Sequence, residues 1–194
     1  MRKPAIVFLI CATAIFFAAC GANNPPSTPN QNPTKNTPEP PKDDIPASVK
    51  SAFPDVQSIT KQQKEIPADD IKHIEEELNV KITEKNHTSY TAFKNEGGTR
   101  KQIGAATIVK AGDKELLVIY ESKKGEPHFK EVRADGIPAP FLAQFKNKGH
   151  DDKLEIGKDL KAESVDTATA NSIASALRLD VAIMTSLYGK GHDH

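Results

Sequence analysis

Residues 140–188 read PFLAQFKNKGHDDKLEIGKDLKAESVDTATANSIASALRLDVAIMTSLY. The end of this stretch carries Ile173, Leu177, Val181, Met184 and Tyr188 at spacings of four, four, three and four. That period predicts an amphipathic helix over 170–188, buried along the stripe. Gly189 and Gly191 end it, glycine being favoured just past a helix C-terminus. Ahead of it, Thr167 to Ser172 is a run of small hydroxyl and amide residues. A helix start of this kind presents free backbone N–H groups and a positive dipole end, which suit an anion and phosphate above all. The same residues suit plain capping: Asp166, Thr169 or Asn171 could each serve. Further upstream, Phe141, Leu142 and Phe145 predict a short amphipathic helix, and Gly157-Lys158-Asp159 a turn.

The chain before this stretch reads as alternating short elements. A short helix over 47–53 stops before Pro54. A strand over 56–64 follows, then a helix over 67–78 with Pro67 at its start, Asp69 and Asp70 at its positive end, and Ile71, Ile74 and Leu78 as its apolar stripe. Strands are expected over 89–94, 103–110, 115–121 and 128–133, with Ala111-Gly112-Asp113 and 123–126 as turns. The order is that of a single α+β domain. Its ~150 residues are enough to bury about two-thirds of the unfolded surface.

The N-terminus has a different character. Arg2 and Lys3 precede an apolar run over 5–17, of signal-peptide length and short for a bilayer. Phe17-Ala18-Ala19-Cys20-Gly21 resembles a bacterial lipobox, with Phe17 where Leu is usual. Cleavage there would leave Cys20 as a lipidated N-terminus, and multiple acyl chains anchor firmly. The alternative is a cleaved secretory signal with a free Cys20. Eight of the fourteen prolines then fall between Pro25 and Pro46. Such a segment cannot offset its ordering entropy by burial and reads as an extended tether. The expected layout is a signal over 1–19, Cys20 and a tether over 20–46, a domain over 47–188 and a tail over 189–194. It places the protein in the bacterial cell envelope, outside the cytoplasm and lipid-anchored. Gly21 after Cys20 permits outer-membrane sorting in a cell that has one.

Composition excludes several classes. The formal charge is zero, and removing Arg2 and Lys3 leaves 24 basic against 26 acidic residues, with no basic stripe for nucleic acid. Cys11 lies in the signal, so the mature domain has no disulfide. No CxxCH, CxxC pair or zinc spacing occurs. His192-Asp193-His194 and His150-Asp151-Asp152 read as solvated rather than metal-binding, and no metal site is expected.

The whole of 47–188 resembles the FMN-binding domain family, found in flavin subunits of Rnf-type and sodium-pumping NADH:quinone reductase complexes. The family pattern runs roughly FLxQFxGK, then DPLxxGKDIDAxSGATxSSxAL, then a helix. FLAQFKNK, DDKLEIGKDLKAESV and DTATANSIASAL fall on it in order. The resemblance implies a curved antiparallel sheet flanked by helices. It implies FMN joined through a phosphoester to Thr169 by a flavin transferase, with Thr167, Ala168, Asn171 and Ser172 around the phosphate and Lys158 or Lys161 offsetting its charge. Tyr90, Tyr120, Phe129 or Phe141 could stack on the ring. Membrane redox proteins would be its partners, and its work would be electron relay rather than substrate conversion.

The chain departs from the pattern in three places. Asp166 and Thr167 stand where the family has Ser or Thr and then Gly, Glu163 where the signature has Asp, and 132–139 is shortened, with Arg133 and Gly136 as remnants. Two readings follow. One is a lipid-anchored flavoprotein electron carrier. The other is an envelope lipoprotein with the same fold, acting as an interaction or structural module without flavin.

Overall fold

Residues 44–189 are described by a computed structural model. Five strands run β1 (Ser58–Glu65), β2 (Asn86–Glu96), β3 (Thr99–Ala111), β4 (Lys114–Lys123) and β5 (Glu126–Ala134). They lie side by side in chain order, every neighbouring pair antiparallel. The meander arises because three successive connections are short turns. Gly97 and Gly98 both take positive φ, as does Gly112, so glycine supplies the backbone that tight hairpins require. The β2–β3 hairpin extends both strands well beyond 89–94 and 103–110, through the charged stretch 95–102.

Two bulges interrupt the ladder. Ala92 pairs with Gly104 and Phe93 with Gln102, so Ile103 is the extra residue on β3. This leaves Ile103 at 39% exposure, the only large apolar side chain so exposed among the described residues. A second register shift, between Ile119 and Tyr120, makes Lys130 the extra residue on β5.

Four helices complete the fold: α1 (Ala47–Ala52), α2 (Ala68–Leu78), α3 (Ala139–Ala143) and α4 (Thr167–Tyr188). Alternation along the strands gives the sheet two differently covered faces. On one, Tyr90, Ala92, Ala106, Leu117 and Ile119 meet Ile45, Val49 and Phe53 in and around α1. On the other, Leu116, Val118, Tyr120 and Phe129 meet Phe141 and Phe145 near α3, and Ile173, Leu177, Val181 and Met184 of α4. Helix α2 lies beside α4, with Ile74 against Ala182 and Ile183. This is the α+β antiparallel sheet flanked by helices that the sequence led us to expect. The α4 stripe is core, and Gly189 follows the last helical residue, its N–H donating to the Thr185 carbonyl at 2.8 Å.

The α4-facing side of the sheet is apolar over β4 and β5 but polar towards β2. Ser89, Thr91 and Thr107 are all buried there, and α4 places Asp180, also buried, against Thr107. Cys20, the signal, the tether over 20–43 and residues 190–194 lie outside the described residues.

Candidate functional site

The α4 start is built by the loop before it. Gly157 has φ +87° and closes a tight turn by donating its N–H to the Leu160 carbonyl at 2.8 Å. Asp159 holds the loop from inside. Its carboxylate accepts the N–H of Leu154 at 3.1 Å and of Glu155 at 2.9 Å, and the Lys148 ammonium at 3.1 Å. Burial alone would raise the Asp159 pKa; the donors from Glu155, Lys148 and Leu154 outweigh it, and the pKa is lowered. Gln144, just past α3, then clamps Lys161 from both sides. Its amide donates to the Lys161 carbonyl at 2.9 Å and accepts the Lys161 N–H at 2.8 Å. The stretches around 141–148 and 154–161 are thus tied together. Phe141, Phe145, Leu154, Leu160, Ala170 and Ile173 share one core cluster.

Helix α4 begins at Thr167, three residues earlier than expected, with Asp166 as its N-cap. The Asp166 carboxylate accepts the Thr169 N–H at 2.9 Å. Hydrogen bonding from the Thr169 hydroxyl and backbone holds the Asp166 carboxyl below its ordinary pKa. Of the predicted site residues, Thr167, Ala168 and Asn171 are exposed, and Thr169 and Ser172 half-buried. The intrahelical bonds begin with Ala170 N–H to Asp166 O at 2.9 Å. The amides of Asn171 and Ser172 therefore fall inside the i to i−4 series, and the orphan donors of this end are those of residues 167–169. Ser172 instead lies beside the β3–β4 turn, its Oγ 3.6 Å from where a Cβ on Gly112 would stand.

Several surrounding charges are already engaged, while the Lys161 side chain is exposed. Lys158 pairs with Glu155, which also receives Arg178 at 3.7 Å. Arg133 donates twice to Glu131, at 2.6 and 2.9 Å. Gly136 has φ +72° in the turn into α3. The four aromatic residues named for ring stacking are core residues. Tyr90 faces α1 on the far side of the sheet. Tyr120 lies 5.3 Å from Phe129, Phe129 6.2 Å from Phe145, and Phe141 5.7 Å from Phe145. Each of the four is less than a tenth exposed, because α3 and α4 or α1 cover them.

A second polar centre was not foreseen. Asp180 accepts Thr107 Oγ1 and Tyr120 Oη on Oδ2, each at 2.6 Å, and its Oδ1 lies 2.8 Å from His87 Nε2. Burial, and then Asp180 itself, push the Tyr120 phenol well above its usual pKa, so it stays a donor. Nδ1 of His87 is buried without a partner. Ser89 is engaged elsewhere, its Oγ 2.7 Å from Tyr188 Oη. The signal for this centre was present in the sequence. Asp180 falls three residues after Leu177 and four before Met184, on the apolar stripe, where a carboxylate must be paired.

Among the described residues, no group of three or more His, Cys, Asp or Glu is arranged to hold a metal ion. None of the described helices is long and apolar enough to cross a membrane. No family model, curated protein or solved structure matches the chain.

Proposed function

We propose that this chain is a lipid-anchored, extracytoplasmic flavin protein that relays electrons, with the FMN phosphate carried at Thr169. The observation that supports this most directly is the convergence at the α4 start. Two of the three stretches that resemble the FMN-binding family are tied together by Gln144–Lys161 and by Lys148–Asp159, and the third shares their core cluster through Ala170 and Ile173. Thr169 stands at the third helical residue beyond them, half-buried, with its side chain near the helix N-terminus. The residues can accommodate a phosphate. Asp166 is exposed, and turning its carboxylate into water would free the Thr169 hydroxyl and amide at a cost of about 1 kcal/mol. The amides of residues 167–169 and the positive helix end would then face the phosphate. When bound, the isoalloxazine supplies the redox chemistry, and the chain's part is to hold it in place.

A second reading rests on a specific observation. The Asp166 carboxylate already fills the anion position at the α4 N-terminus, and one negative charge there disfavours another. On that reading the protein is an envelope interaction module on the same fold, without flavin.

Intact mass and absorbance after denaturation separate the two. The chain is exported in a host that supplies a flavin transferase, beside Thr169→Ala and Asp166→Ser variants. Flavin that survives denaturation and is absent from Thr169→Ala is the expected result. Flavin lost on denaturation places the cofactor in a non-covalent site. Folded wild type without flavin, but flavin in Asp166→Ser, would establish the second reading and Asp166 as its cause.

A further inference from the structure

We propose that His73, Glu77 and His150 bind one divalent transition-metal ion of the zinc class, which clasps α2 to the segment after α3. His73 and Glu77 lie one turn apart on α2. Side chains at i and i+4 share a helix face, with Cβ atoms about 5–6 Å apart. Two donors at this spacing can close on one ion, as paired histidines do on zinc-binding helices. His150 meets the same carboxylate from the other side. Its backbone is held in place. The Phe129 N–H donates to the Lys148 carbonyl at 2.8 Å, Gly149 bridges to His128, and the Gly149 N–H donates to Asp152 Oδ2 at 2.8 Å. The partners of His150 are thus on α2 rather than beside it in sequence.

Both imidazoles approach one oxygen. His150 Nε2 lies 3.3 Å from Glu77 Oε2, and His73 Nε2 lies 4.0 Å from it. Ligands about 2.0–2.2 Å from a tetrahedral zinc stand roughly 3.3 Å from one another. Glu77 and His150 already have that separation. His73 is farther away, so the three do not form a closed site as they stand. The His73 side chain is 71% exposed, against 34% for Glu77 and 31% for His150. Rotation of His73 towards the ion therefore meets water rather than packing, while the other two donors wait half-buried.

The donor set chooses the ion. Two imidazoles and one carboxylate suit zinc, copper(II) or nickel, whereas calcium and magnesium take oxygen ligands. Three protein ligands leave a fourth position for water. The nearby Asp152 is already engaged, by Lys148 Nζ at 3.3 Å and by the Gly149 N–H. An ion here would tie α2 to the segment that pairs with the β5 edge, so loading it should stabilise the fold.

The chain from residue 20 onward is titrated with zinc chloride by calorimetry near neutral pH. Cys20→Ser, His192→Ala and His194→Ala remove the thiol and imidazole donors near its ends. One ion per chain is expected, with the Nε2 nitrogens of His73 and His150 shifting together in ¹⁵N NMR. His73→Ala, Glu77→Gln and His150→Ala are each expected to weaken binding about tenfold or more. Zinc should raise the thermal midpoint of the parent and leave those three variants nearly unchanged. The three side chains are partly exposed, so the metal-free variants are expected to unfold at the parent's midpoint. No stoichiometric binding by the parent would overturn the inference. So would binding that survives in His73→Ala or His150→Ala, or a zinc response confined to His87 and His128, which would place the ion elsewhere.

Discussion

Removing Asp180 strands three donors at once: Thr107, Tyr120 and His87 all turn to its carboxylate. Asp180→Ala is therefore expected to cost about 3 kcal/mol or more, read as a lower urea midpoint, since buried donors left without acceptors carry the full desolvation penalty. Asp166→Ala loses only an exposed cap and is expected to cost about 1 kcal/mol, with Asp166→Gly milder. Asp159 carries a pH dependence. Its folded pKa lies below the ordinary carboxylate value, so its contribution is complete above about pH 4 and is lost as pH falls through the lower folded value. Acid titration of stability should show a shallower loss below pH 4 in Asp159→Asn than in the parent. At this scale the sequence was legible in part. Gly157 and Asp159 stood out as a turn, and Asp166 as one of three possible caps. The partners of Asp180 were not legible, because Thr107, Tyr120 and His87 come from three strands whose register no local pattern sets.

The elements follow from periodicity, and their ends from chemistry that periodicity misses. Helix α4 starts six residues before Ile173, the first of its apolar stripe, because Asp166 caps it. Strands β2 and β3 run into polar residues because the Gly97-Gly98 turn joins them; alternation marks only their buried halves. Ile103 read as an ordinary strand residue, since a bulge has no signature in apolar spacing. Its neighbour Gly104 is held tightly. A Cβ there would stand 2.9 Å from the Tyr120 carbonyl oxygen and 3.2 Å from the Phe53 ring. Gly104→Ala is expected to cost about 1–3 kcal/mol by thermal or chemical unfolding, because the nearest atom is backbone and cannot rotate away. Leu177→Ala, in the middle of the α4 stripe and fully buried, is expected to cost about 2–5 kcal/mol by the same measurement.

For the molecule as a whole, the α+β order was readable from short turns between strands and from one long amphipathic helix, and the antiparallel sheet was what the family resemblance implied. The meeting of His73 and Glu77 with His150 was not readable, since a helix and a distant turn come together there and no motif joins them. One consequence concerns how α4 chooses its seat. Apolar contacts alone tolerate many rotations and slides of a helix over a sheet, each burying similar area. Asp180 does not tolerate them. A seat displaced by one residue would carry the carboxylate out of line with all three donors. The network thus works as an index pin, making one docking geometry far better than its near neighbours. The quadruple variant Asp180→Leu, Thr107→Val, Tyr120→Phe, His87→Leu replaces the pin with matching apolar groups. It should keep most of the stability while its amide resonances along α4 broaden or double, as the helix samples seats that the carboxylate now forbids.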